Sequence, residues 1–491
     1  MSTLHSIANI GMRRASFRRL VWRLDTPAAL AGMFALAFAI RLLIAPHAGY
    51  YADLKIFQGW SLRLDDVGLR HFYAQNWADY PPGYLYVLWL LGKISSPPGY
   101  VLLKVPAMLG DLALAWIACM FATRIAPAST KERWPVRPLV AAAVLFNPAV
   151  IMLSAVWGQV DVVPAVFVLW SLFLLLTGSQ TIRRESAAFL AFAVAFTIKP
   201  QSGFVLPVML YALYRRHGRH RPRPELWRQV VRVAVPAGLA LSLWFLAAAP
   251  FGLWPIELVR FYRDAASVYP VTSAFAFNLW GAVGFVLPDS AGVQVIDGVH
   301  VTRGPVEFAS LSALQLGAIL LVAGAAVVLW RAHRALERGA DEALVLAASA
   351  AATGLLAFSV LTRMHERYMF YALAFITPLV FLRPFRLVYV ALSALYALNL
   401  WWVYAYNNSR GDLGHGCALP SPGCVGVAPL LGGFAMDAWQ KKAFSATVVT
   451  IAVCMVWFGA GWAARRRAHV RTARQERPDS GVPSLTSPPH R

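Results

Sequence analysis

The run AALAGMFALAFAIRLLI at 28–44 is long and apolar enough to cross a bilayer, and MRRASFRRLVWR at 12–23 places a basic cluster just before it. Inside lipid every backbone polar group must be paired within the protein, so such a run has to be helical unless it belongs to a closed barrel. The alternation recurs along the chain. Basic clusters lie at 124–137, at Arg183 and Arg184, at 215–232, at 331–338, at Arg383 and Arg386, and after Arg465, with apolar sequence between them. Because 58% of the 491 residues are hydrophobic and only 14% charged, a large soluble domain is excluded as the main body. The net charge of +22 is spread over short clusters next to apolar runs. That is the positive-inside pattern of a membrane protein rather than a stripe for nucleic acid.

If every basic cluster is cytoplasmic, two crossings separate each consecutive pair. The expected fold is then an all-α polytopic transmembrane bundle of about twelve spans: 27–45, 100–123, 138–156, 162–178, 186–198, 201–214, 229–250, 308–330, 342–361, 368–382, 386–406 and 443–463. Several are shorter than the roughly 20 residues a crossing needs, so some must pair as hairpins around a protein-lined cavity. Residues 1–26 read as a basic cytoplasmic N-terminus rather than a cleaved signal, 27–463 as one membrane domain, and 464–491 as a basic, disordered cytoplasmic tail. The first external loop, 46–99, contains PGYLYVLWLLGKI, too short to span; it is expected to lie in the interface, with Tyr84 and Tyr86 among the headgroups. A second external segment, 251–307, has room for further interfacial helices near Phe251, Trp254, Phe261 and Tyr262. Cys119 and Cys454 fall in apolar spans as packing residues. Cys417 and Cys424 sit in an external polar loop, where a disulfide fits an oxidising compartment better than zinc.

The unusual polar residues then collect on one side. YADLKIFQGW (51–60) and WADYPPGYLY (77–86) share the first external loop, and NPAVIMLSAVWGQVD (147–161), TIKPQSG (197–203) and TRMHERY (362–368) turn on the same face. Ionisable groups at membrane depth cost roughly 2.5–3.5 kcal/mol each, so their gathering marks function, although some will only cap helices. In a helix from 53 to 64, Asp53, Phe57, Trp60 and Leu64 share a face, placing a carboxylate above a ring suited to a sugar. The plainer reading makes Asp53 an N-cap. Trp157, Gln159 and Asp161 offer a stacking ring, an amide and an acid in one turn, or an interfacial Trp with a capping Asp. Asp79 either meets acceptor or caps the helix that follows Pro81 and Pro82.

The set Asp53 with Trp60, Asp79 to Pro82, WGQVD at 157–161, KPQ at 199–201 and His365 to Arg367 resembles the integral-membrane C-type glycosyltransferases. It is similar to dolichyl-phosphate-glucose glucosyltransferases and, more closely, to bacterial relatives of the second mannosyltransferase of the glycosylphosphatidylinositol pathway. The resemblance spans about 28–410. It implies transfer of one hexose, mannose ahead of glucose, from a polyprenyl-phosphate sugar to a lipid-linked or cell-envelope glycan acceptor on the external face, with membrane lipid as surroundings. In keeping with this, no Gly-rich nucleotide loop is present.

An inverting displacement needs one base for the attacking hydroxyl and donors for the leaving phosphate. By its match to the family's first-loop acid, Asp53 is the expected base. Lys199, Arg363, His365 and Arg367 are candidates for the phosphate, with Arg41 and Lys104 behind them. Arg41 has a rival reading as a snorkelling residue, and Lys199 one as the partner of Asp161. Trp60, Asp79, Tyr80, Trp157, Gln159, Asp161, Gln201 and Glu366 are candidates for acceptor or sugar, with Asn278, Trp280 and Tyr368 as outer possibilities. Arg367 replaces the lysine of the glucosyltransferase relatives, which alters hydrogen-bond geometry and leaves the sugar open. No ligand spacing demands a metal or other cofactor; a divalent cation on Asp53, Asp79 and Asp161 is the alternative. Two competing functions stay on the page. One is a transporter or flippase of lipid-linked sugars; the other is an oligosaccharide ligase or polymerase.

Overall fold

The computed structural model describes residues 23–75, 77–218, 226–290, 295–296, 299–300, 305–409 and 436–464. Cys417, Cys424 and the tail beyond 464 lie outside the described residues. The helices are α1 (Pro27–Ile44), α2 (Tyr51–Val67), α3 (Pro82–Ile94), α4 (Tyr100–Ile125), α5 (Ala128–Arg133), α6 (Val136–Leu145), α7 (Pro148–Ile151), α8 (Val162–Leu176) and α9 (Ile182–Ile198). They continue as α10 (Leu206–Leu213), α11 (Leu226–Ala248), α12 (Pro255–Ala265), α13 (Leu279–Val283), α14 (Ala313–Glu337), α15 (Glu342–Val360), α16 (Met369–Ile376), α17 (Arg383–Ser409) and α18 (Ala438–Ala464). Described strands are two residues long; Ser273–Ala274 pairs in parallel with Met364–His365.

The chain is a multi-pass, all-α membrane protein. Among the described residues seven helices are long and apolar enough to cross a bilayer, or eight if α6 and the bent 148–157 segment, 44° apart, count as one. Of the expected twelve, the short ones exist as helices, but 182–213 is broken by a 3₁₀ turn at Pro200–Val205, and Met369–Ile376 is little over two turns before the 3₁₀ turn Thr377–Leu379. Pro148, Pro200 and Pro378 explain the breaks, since each lacks an N–H for the preceding turn.

Starts are set by local chemistry. Thr26 accepts from Ala29 N ahead of Pro27, Asp341 accepts from Leu344 N, and Ser312 with Gln315 forms a reciprocal capping box. The apolar α15 is buried along 94% of its best window, whereas α1, α11 and α14 bury only 11%, 6% and 17% of theirs. A helix apolar all round belongs in the core; apolar helices left uncovered by protein are the ones that face lipid.

Helices α1, α6–α7, α9, α15 and α17 run between two ends. At their starts sit paired charges: Arg137 with Asp25 at 2.7 Å, Arg216 with Glu342 at 3.2 Å and His217 with Glu185 at 2.9 Å. At their finishes Tyr50, Trp157, Lys199, the 361–368 segment and Asn407 come together. The helix ends therefore gather at one place the motifs that are far apart in sequence.

Candidate active site

Asp53 stands in the first turn of α2, whose N-cap is Tyr50, so the capping reading of Asp53 is corrected: it makes no cap bond. Its Oδ2 instead accepts from the Trp157 indole N–H at 2.8 Å and from the Gln159 amide. Oδ1 has no hydrogen-bond partner among the described residues. Two neutral donors thus fix the carboxylate and leave one oxygen to act.

The donors are delivered by an irregular stretch. Residues 152–157 wind as a π-helix and stop at Gly158, whose φ of +88° is left-handed. A Cβ there would meet Leu54 Cδ2 at 2.8 Å and Lys104 Cγ at 3.1 Å, so only glycine lets this turn lie under α2. Lys104 is 1% exposed and donates to the carbonyls of Ala45, Ala48 and Ala155, satisfying a helix end and the π-turn. Arg41, also fully buried, bonds Asp111 at 2.7 Å and the carbonyls of Ala37 and Leu145. Neither is placed for phosphate, and Arg41 does not snorkel; the partner it finds, Asp111, lies 70 residues away.

Trp157 is 0% exposed and stacked on Tyr50 with centroids 4.3 Å apart. It is not a platform for sugar, as expected from sequence, but an orienting donor behind the carboxylate. Asp161 makes no cap bond; it pairs with Lys199 at 2.9 Å, both fully or nearly buried. Lys199 also faces the rings of Tyr80 and Tyr368 at 5.1 and 5.5 Å. The Tyr80 hydroxyl reaches Gln159 Oε1 at 3.5 Å. Gln201 keeps its Oε1 buried without a partner, beside the Lys199 turn.

The meeting of Tyr80 with Lys199 depends on Gly83, where a Cβ would stand 2.6 Å from the Thr197 carbonyl. α3 therefore presses its first turn against the end of α9. Its expected interfacial placement is corrected on one point: Tyr84 is 0% exposed against Phe57, and Tyr86 donates to Ala247 O at 2.9 Å, so neither is free for headgroups. Asp79 precedes Pro81, the N-cap, and does not cap α3. Burial pushes its carboxyl upward, with Asp53 adding and its own backbone N–H, Arg367 and Lys199 opposing. Trp60, 6% exposed, packs on Tyr80 at 5.0 Å.

The 361–368 segment is a short connection between helices, as its polar sequence implies. Met364–His365 is strand and Glu366–Tyr368 a 3₁₀ turn. Arg363, at a left-handed φ of +62°, sends its guanidinium to both oxygens of Asp289 at 2.7 and 3.1 Å and to Ala266 O. It is a strut for the 266–289 segment rather than a free phosphate ligand. His365 is held well below its ordinary value by burial, with Arg367 and Lys199 adding, so it offers a neutral imidazole and not a cation. Burial lifts Glu366 to about 7, against Arg367 and with help from Asp53 and Asp161. Arg367 contacts Glu366 at 3.4 Å, and its Nε is buried without a partner. Among the expected phosphate ligands it is the cation least consumed by protein. Asn278 and Trp280 are structural: they donate to the carbonyls of Phe358, Leu361 and Val360. No group of three His, Cys, Asp or Glu among the described residues is placed to hold a metal, so Asp53, Asp79 and Asp161 do not form one.

Sequence reasoning missed Tyr50, which receives a bond from Asn407 and stacks behind the Asp53 donor, and Tyr404, whose hydroxyl bonds Gly49 O. The doubled tyrosine before Ala52-Asp53 was the available signal.

Residues 64–254 resemble a known family. Its description is PIG-U, GPI transamidase subunit, and the match covers under half of the chain. That description is of a transamidase subunit and not of the mannosyltransferase the motifs resemble. Among solved structures, ArnT from Cupriavidus metallidurans in the apo state is 14% identical, over 91% of this chain and 79% of that one, with a TM-score of 0.43. The same protein bound to undecaprenyl phosphate gives 15%, 92%, 80% and 0.44. The Archaeoglobus fulgidus oligosaccharyltransferase gives 12% identity and 0.39, over 93% of this chain and 59% of its own. No curated protein matches.

Proposed function

We propose that this chain is an inverting glycosyltransferase that moves a single hexose, mannose ahead of glucose, from a polyprenyl-phosphate sugar to a lipid-linked or cell-envelope glycan on the external face. The observation that carries the reading is the half-buried Asp53 carboxylate, fixed by Trp157 and Gln159, within the electrostatic reach of the incompletely paired Arg367. Asp53 Oδ1 takes the proton as the acceptor hydroxyl attacks the anomeric carbon. The bond from that carbon to the phosphate oxygen breaks, and the electrons leave with the polyprenyl phosphate, whose charge Arg367 stabilises with the His365 N–H as a neutral donor. Lys199 is tied to Asp161 and keeps Tyr80 and Tyr368 in place. On this reading 27–463 acts as one membrane domain, with 1–26 and 464–491 as cytoplasmic flanks.

A second reading, a subunit that holds lipid-linked glycan without chemistry of its own, draws on the 64–254 match, which leaves out both Asp53 and 361–368. The two separate on one assay. Membranes containing the protein receive a polyprenyl-phosphate mannose with a labelled sugar, and products are weighed by mass spectrometry. One added hexose per acceptor is expected; a transferred oligosaccharide, or bound donor with no new glycosidic bond, contradicts the proposal.

A further inference from the structure

A cavity of about 870 Å³ opens beside Asp79, between α2, the 73–79 loop and α12. Rings form much of its wall: Trp60, Tyr73, Trp77, Phe261 and Tyr269. The wall is braced from behind. Tyr73 donates to Tyr80 O at 2.6 Å and packs on Phe261 at 4.9 Å, while Tyr269 packs edge-on to His365 at 5.1 Å. Trp77, 45% exposed, is held over the Arg63 guanidinium at 4.8 Å and presents its ring at the outer rim. The cavity therefore runs from solvent to the acid next to the proposed base.

Its charges are mixed. Lys55 and Arg260 face Asp79, Glu257 and Asp264, and Asp264 is already occupied by Arg263 at 2.8 Å. A wall with two bases, and acids at least matching them, does not concentrate the positive field that an anionic glycan or a phosphate would need. Flat rings with scattered donors and acceptors suit the apolar faces and hydroxyl edges of pyranose rings. We infer that this cavity is the acceptor cleft and that it takes an uncharged glycan, entering past Trp77 and passing Asp79, so that its reactive hydroxyl lies beyond the cavity's inner end, at Asp53. The assignment rests on the glycosyltransferase reading, but the binding itself does not require turnover.

The test uses the full chain in detergent, with mannotriose as the neutral probe and a galacturonic acid trisaccharide as the anionic one, read by ligand-detected NMR. Wild type should bind the neutral probe at least about ten-fold more tightly than the anionic one, and Trp77→Ala should weaken the neutral probe by about ten-fold. Glu257→Gln, an exposed change on α12 that spares the fold, should weaken it by a few-fold. Undecaprenyl phosphate binding should be unchanged in both variants. Tighter binding of the anionic probe, no saccharide binding, or binding indifferent to Trp77 and Glu257 would overturn the cleft assignment. Loss of polyprenyl-phosphate transfer in wild type with saccharide binding intact would instead strike the glycosyltransferase reading.

Discussion

Two arginines set into this protein, Arg41 fully buried and Arg367 still 12% exposed, are treated differently. Arg41, within α1, makes three bonds of 2.7–3.0 Å, and its partner Asp111 also accepts from Ser154 at 2.5 Å. Arg367, in the 361–368 turn, has only the 3.4 Å hydrogen bond to the adjacent Glu366 among the described side chains, beside the Tyr368 ring at 5.6 Å, and solvent reaches 12% of its side chain. The first cluster is committed to holding α1, α4 and the π-turn together. The second keeps charge in hand, because a residue that meets an anionic ligand cannot be saturated beforehand. On the proposed reading, the number of close partners, together with exposure, separates the structural charge from the one kept for an anionic ligand.

The largest break in that comparison is Asp111→Ala. It leaves the Arg41 charge uncompensated and should cost about 3–5 kcal/mol of stability in detergent, read as a fall in Tm. Arg367→Gln should do the reverse, lowering the transfer rate about 10²–10³-fold with little change in Tm. Glu366 sharpens the contrast through pH. Its folded value of about 7 lies above an ordinary carboxyl, so the protonated form supports the fold. That contribution is full below about 4.5 and lost as pH rises through 7, on the order of 3 kcal/mol in total. Wild-type Tm should fall over that range, and Glu366→Gln should flatten the slope. The smallest effect belongs to the opposite end of the bundle, where Arg215→Ala breaks a partly exposed pair with Glu337 at 3.2 Å and should cost under about 1 kcal/mol.

Much of this was legible in the sequence, and for a physical reason. Hydrophobic run length and basic punctuation depend on lipid and membrane potential, which act on local sequence, so most helices and the gathering of motifs on one end could be read directly. Partnership could not. Whether Arg363 meets phosphate or Asp289, 74 residues away, depends on how the 266–289 segment folds back. Trp157 read as a sugar platform because its stacking on Tyr50 is a tertiary contact. The PPG of WADYPPGYLY carried a hidden constraint too: Gly83 is there because α3 touches the backbone of Thr197.

The central claim is that Asp53 takes the proton. Asp53→Asn keeps the side chain's size at the Trp157 and Gln159 donors, so the fold should survive with an unchanged Tm. Transfer of labelled hexose from polyprenyl-phosphate mannose should drop about 10²–10⁴-fold. Wild-type turnover by a well-folded Asp53→Asn protein would contradict the account.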